Sequence, residues 1–245
     1  MSTKFIRVEG EAVLAVEEII HRRTTLPEWL AAMQKLSPEV LQSPVLPEGS
    51  ILYAQKSVQQ LVVINQPAAV KKVIWRTERY RDREQRNKTR WQLAVPPHVF
   101  LLTFRNDAMR SGHIYFTPEP LTSIDDMLYR TNLANIYSAP SADGIPTPIC
   151  AGSTRLDVKA PFAARCQAFI DAFWTTEFND DIIPVLRALQ DGCCFTGDAP
   201  PAQLLNLHAW DKATADTPNF LSEMPWPFVP LCPLKEILNE KWAAS

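Results

Sequence analysis

The chain has 245 residues, 46% of them hydrophobic and 21% charged, with a formal net charge of −2. A charge so close to balance excludes a global attraction to nucleic acid or to an anionic membrane, and no apolar run is long enough to span a bilayer. This composition suits one globular domain with decorated ends.

The first residues, MSTKFIRVEGEA, lack the apolar stretch of a secretory signal. The five cysteines (Cys150, Cys166, Cys193, Cys194 and Cys232) are irregularly spaced, which fits free thiols in a reducing cytoplasm better than a disulfide framework. Seven Gly against 21 Pro means that loops are stiffened by fixed φ more than loosened by glycine.

In chain order, EAVLAVEEII is ambiguous between strand and helix. TLPEWLAAMQKL reads as a short helix, with Thr25 as cap, Glu28 three residues on, and Leu26, Leu30 and Met33 on one face. SPVLPEGS is a loop. The runs ILYAQKS, QQLVVINQ and VKKVIWRTERYR are strand-like, and RWQLAVPPHVFLLTFR and GHIYFTPEP continue a meander in which Pro96 and Pro97 need an edge or a bulge. KAPFAARCQAFIDAFWTTEF is an amphipathic helix: Pro161 suits its first turn, and Phe162, Cys166, Phe169, Ile170, Phe173 and Trp174 share a face. From DGCCFTGDAPP onward the chain is Pro-rich and ends in the helical PLKEILNEKW. The expected class is α+β, an antiparallel β-meander covered by helices. Residues 1–50 would be an N-terminal extension with a short helix, 51–190 the core and 191–245 a C-terminal extension, all within a single domain spanning 1–245.

The four histidines (His21, His98, His113 and His208) are scattered, and Cys193–Cys194 are adjacent, so no metal-ligand spacing is present. A phosphate-binding glycine loop is also missing. Lys71–Trp91 carries nine of the 25 basic residues and three acidic ones, interleaved with Trp75, Tyr80 and Trp91. Such a run is either a solvated hairpin or a face for an acidic partner or nucleic acid, and solvation is the commoner outcome. Cys166 falls on the apolar helix face and reads as core. Cys150 follows Pro146 and Pro148, each of which biases the residue before it toward extended backbone. It is followed by Ala151, Gly152 and Ser153. That small-residue collar fits either a packed structural thiol or a sulfur that another macromolecule must reach.

Residues 128–153, LYRTNLANIYSAPSADGIPTPICAGS, resemble the core signature of the ubiquitin-conjugating enzymes, in which an Asn–aliphatic–Tyr run and a Gly turn precede an aliphatic–Cys pair. Asn135, Ile136 and Tyr137 match the first part, Gly144 the turn, and Ile149–Cys150 the second. With VIWRTERY, PPHVFLLTF and FIDAFWTTEF the likeness covers about residues 70–180. It is nearest the prokaryotic branch found in ubiquitin-like conjugation operons and as protein B of the PRTRC plasmid system. The departures are Leu133–Ala134 in place of His-Pro, fifteen residues from Asn135 to Cys150, Ala151 in place of Leu, and Asn179–Asp180 where that branch has a His. The role of that His is therefore not carried over.

The resemblance implies a ubiquitin-conjugating-enzyme-like fold and a carrier that accepts a ubiquitin-like protein as a thioester on Cys150. It further implies that Asn135 supplies the oxyanion donor; the residue-level alternative for Asn135 is a turn residue bonding its own backbone. Tyr129 and Tyr137 are expected to pack, and Asp143 to form the turn with Gly144. The implied partners are the modifier, an activating enzyme, a target protein and a deconjugating protease, without membrane, cofactor or metal. Antiphage defence follows by association with such operons. A non-catalytic scaffold of the same fold, with Cys150 buried and inert, is the alternative from another class.

Overall fold

The computed structural model describes residues 4–9, 12–17, 20–25, 44–75, 90–131, 133, 135–137, 140–142, 144–150, 152, 154–178, 204, 207–216 and 230–242. The strands are β1 (Lys4–Glu9), β2 (Ala12–Glu17), β3 (Ile20–Thr25), β4 (Ser50–Lys56), β5 (Gln59–Gln66), β6 (Ala69–Trp75), β7 (Arg90–Val95), β8 (His98–Arg105), β9 (Ala108–Phe116), β10 (Met127–Tyr129), β11 (Glu177–Phe178) and β12 (Pro230–Pro233). Nine form one antiparallel sheet in the order β12-β10-β9-β8-β5-β4-β1-β2-β3, and β11-β6-β7 form a second.

The central strand β8 is buried along nearly its whole length and β5 at its four middle residues, because both faces of the sheet are covered. Alternation of side chains splits them into two cores. Val62, Ile64, Phe100, Leu102 and Phe104 face helix α1 (Phe162–Thr175). Leu61, Val63, Val99 and Leu101 face the C-terminal helix, α3 (Leu234–Glu236) and its π-helical continuation Ile237–Trp242. Asn106 and Asp107, at φ 50° and 64°, make the two-residue turn from β8 to β9. Asn and Asp are the side chains that tolerate a pair of left-handed residues there.

The α+β class stands, with three corrections to its layout. The hairpin β6–β7 is not part of the main meander: β5 pairs directly with β8 from Gln59–Arg105 to Gln66–His98. Pro67 follows β5, and Pro96–Pro97 join β7 to β8; lacking N–H donors, prolines sit where the chain leaves one sheet for the other. The ambiguous N-terminal run resolves into strands, so that β1–β3 extend the sheet and Thr25 is the last residue of β3. The helix expected beyond Thr25 lies outside the described residues, as do positions 76–89 of the basic run, Cys193 and Cys194. The third correction is α2 (Leu207–Asp216), which the sequence reading did not include. Its side chains satisfy the edge of β7, where backbone groups would otherwise be open for pairing. Asp211 accepts from Gln92 N–H at 2.8 Å, Thr214 accepts from Ala94 N–H at 3.0 Å, and the fully buried Trp210 donates to Ala94 C=O at 2.8 Å.

Helix α1 buries the six residues that its spacing predicts, with Pro161 at its N-cap. It also buries Arg165, whose guanidinium bonds the Asp107 carbonyl and carboxylate and lies 5.5–5.6 Å from the Phe104 and Phe162 rings. This ties the start of α1 to the β8–β9 turn. Among the described residues, no helix is long and apolar enough to cross a membrane.

Burial pushes the imidazoles of His98 and His113 down to about 4 each, whereas an unfolded imidazole titrates near about 6.5. Because the folded values are the lower ones, the unfolded state takes up protons first as pH falls. Stability that is intact above about pH 6.5 is therefore lost down to about pH 4, by up to about 3 kcal/mol per histidine. The urea midpoint should drop through that window, and His98→Phe should make the drop shallower. A midpoint independent of pH between those limits would contradict the burial of both rings.

Candidate functional site

The stretch after β10 folds back on itself at a turn in which Gly144 N–H bonds Ser141 C=O at 2.9 Å and Ser141 N–H bonds Ile145 C=O at 2.8 Å. Gly144 sits at φ 75°, a conformation that costs glycine nothing. The reversal lays residues 135–137 antiparallel to 148–150 around the bridge Ile136–Ile149. Two hydrogen bonds close it: Cys150 N–H to Asn135 C=O at 2.7 Å and Tyr137 N–H to Pro148 C=O at 2.9 Å. The inner residues of the pair, Ile136 and Ile149, are buried in the α1-side core. Further in, Ile149 N–H bonds Gly112 C=O at 2.7 Å and His113 bridges Pro148, so the pair continues the main sheet from the flank of β9.

This register brings together the two residues that the sequence singled out. Asn135 stands across from Cys150 despite the fourteen residues between them. Alternation places Tyr137 on the same face, diagonal to the cysteine, a separation that an aromatic side chain can bridge. The Tyr137 hydroxyl donates to Cys150 Sγ at 3.5 Å. The Tyr137 phenol is pushed above its ordinary value, first by that hydrogen bond and then by the charge of Cys150. Sequence reasoning missed this role, since Tyr137 was expected to pack. Instead 41% of it is exposed, while Tyr129 does pack against the core. Its place in the Asn-Ile-Tyr run was the signal available.

Asn135 is buried at φ 60°, and its Nδ2 donates to Glu177 C=O at 2.9 Å, 42 residues away. That long-range bond differs from the local turn contact that was the alternative. It anchors the loop to the strand leaving α1. Thr147 is the second left-handed residue, at φ 54°. The approach to Cys150 is therefore not extended throughout, as the two prolines suggested. A buried β-branched residue in this region costs about 1–3 kcal/mol, and such strain collects where the surroundings hold a segment in a functional shape.

Cys150 is half-buried, whereas Cys166 and Cys232 are buried. Burial pushes the Cys166 thiol up to about 12, in keeping with a core residue. Beyond Cys150, Gly152 adopts φ 53°, and a Cβ there would meet nothing within 4 Å, so the collar is open on that side. Ala151, Ser153 and Asp143 lie outside the described residues. A cavity of about 490 Å³ adjoins the site, walled by Tyr137, Ile149, Met109, Leu156 and Phe169. Tyr137 thus borders the cavity and also meets the sulfur through its hydroxyl. Of the basic run, Lys72 and Arg90 are exposed, while Lys71 lies 5.1 Å from the Trp174 ring. Among the described residues no group of three or more His, Cys, Asp or Glu could hold a metal.

Compared with known proteins, the chain matches no family model, no curated protein and no solved structure.

If Tyr137 is held above its ordinary phenol range by Cys150, Cys150→Ser should move one tyrosine titration, followed by phenolate absorbance, to lower pH. The same substitution in a Tyr137→Phe background should move none. A titration unchanged by Cys150→Ser would mean that hydroxyl and sulfur do not meet.

Proposed function

We propose that this chain is a ubiquitin-conjugating-enzyme-like carrier that holds a ubiquitin-like protein as a thioester on Cys150 and passes it to an amine of a target protein. The observation that carries this reading is the half-buried Cys150, its backbone paired with Asn135 and its sulfur touched by the Tyr137 hydroxyl. The α+β architecture, with a meander followed by the Asn–Cys segment and then α1, is compatible with the conjugating-enzyme fold that the sequence resembles.

The chemistry requires little acid–base help. The Cys150 thiolate attacks the carbonyl carbon of a thioester on the activating enzyme, an S–C bond forms, and the activating enzyme's thiolate leaves. An acceptor amine then attacks the new thioester, and Cys150 departs as thiolate while the amine proton passes to water. The Tyr137 hydroxyl, which donates to Cys150 Sγ, would donate to the departing sulfur as the C–S bond breaks. The tetrahedral oxyanion needs a donor as well. Asn135 is the candidate, its backbone set across from Cys150 and its side chain held by Glu177 C=O. The rival scaffold role calls for a sealed, inert Cys150, and a residue that is only half-buried counts against it.

The test combines the protein with a ubiquitin-like modifier, its activating enzyme and ATP, followed by electrophoresis without reductant. A thiol-sensitive adduct should form, persist in Cys166→Ser and disappear in Cys150→Ser or turn thiol-resistant. Asn135→Ala should still charge but discharge about 10²–10³-fold more slowly, the cost of one lost oxyanion donor, about 2.7–4 kcal/mol. Normal thiol-sensitive charging of Cys150→Ser would refute the assignment.

A further inference from the structure

Beneath the cysteine segment lies a polar chain that the transfer chemistry does not use. His113 is fully buried on β9, between Ser111 and Tyr115 on the same face. Its Nδ1 is 2.9 Å from Pro146 C=O, and its Nε2 is 2.9 Å from Ser111 Oγ. A carbonyl can only accept, so the proton sits on Nδ1 and Nε2 accepts from Ser111. The Ser111 hydroxyl, its hydrogen spent on His113, accepts in turn from Thr103 Oγ1 at 2.8 Å. The side-chain bonds therefore point one way, from Thr103 through Ser111 and His113 to Pro146, an arrangement in which successive bonds polarise one another, while Ser111 N–H donates back to Thr103 Oγ1 at 3.1 Å. The fully buried Tyr115 hydroxyl donates to the same carbonyl at 2.9 Å, and its ring lies parallel to His113 at 3°.

Two buried donors on one carbonyl, immediately before the left-handed Thr147, leave Pro146 little freedom to turn. Pro148 and Ile149 then lock onto β9, and Cys150 onto Asn135. We propose that His113 and Tyr115 are positioning residues: their shared grip on the Pro146 carbonyl fixes the strained Pro146–Cys150 turn that presents the sulfur. Losing that grip releases Thr147 from φ 54° toward ordinary extended backbone and unseats the Ile149 and Cys150 amides. The consequence for rate rests on the carrier function proposed above; the structural consequence does not.

Native-state hydrogen exchange separates the two. In Tyr115→Phe and His113→Phe, the Ile149 and Cys150 amides should lose about tenfold more protection than the Phe100 and Leu102 amides of central β8. Val63→Ala, a buried change elsewhere on the same sheet face, should lower protection at all four sites alike. His113→Asn, which keeps a donor near the Nδ1 position, should stay within about threefold of the wild type. Discharge of the charged protein to free lysine should slow about tenfold or more in His113→Phe, because misplacing a reacting atom is costly. Loss of protection spread evenly over the four amides in Tyr115→Phe would overturn the proposal. A wild type that never charges would count against the carrier function alone, and the exchange pattern would still decide the role of His113 and Tyr115.

Discussion

The site depends on one constraint: the chain must return over the sixteen residues 135–150 so that the Cys150 amide meets the Asn135 carbonyl. Once that bond and its mate from Tyr137 to Pro148 are made, the positions of the side chains follow from strand geometry. The isoleucines between them face the core and anchor the pair, and Tyr137 reaches diagonally to the sulfur. Tyr137 needs no separate device to reach Cys150, and the Asn135 backbone is set across from it.

That pairing is in turn imposed by the sheet. The inner partner is bound to β9 through Gly112 and His113, and the outer one is tied through Asn135 to Glu177, at the exit of α1. Helix α1 is fixed at its other end by Arg165 on the β8–β9 turn. Strain at Asn135 and Thr147 persists because these attachments over-determine the loop. Gly112 has no room to be anything larger, since a Cβ there would stand 2.3 Å from the Phe169 ring. The approach of α1 to β9 thus shapes both the cavity wall and the seat of the cysteine segment.

Local periodicity was legible in the sequence. The spacing of Phe162, Cys166, Phe169, Ile170, Phe173 and Trp174 specified the face of α1, and the apolar runs specified β4, β5, β8 and β9. Long-range choices were less so. Nothing in QQLVVINQ says that it skips the next hairpin to pair with HVFLLTFR, although the prolines bounding β6–β7 were a usable hint. Helix α2 escaped notice because its short pattern carries one dominant anchor, Trp210, whose partner lies 116 residues away. Cys150 and Asn135 were found through their likeness to a motif. The Tyr137–sulfur contact depends on a register that no local pattern encodes, and so does the Pro146 carbonyl shared by His113 and Tyr115.

The account stands on a sulfur that is reachable in the folded protein while its neighbours are not. Brief treatment of the native protein with iodoacetamide, followed by peptide mass spectrometry, measures this directly. Cys150 should be modified, and Cys166 and Cys232 should react only after denaturation. A Cys150 that stays unmodified until the protein unfolds would contradict the account.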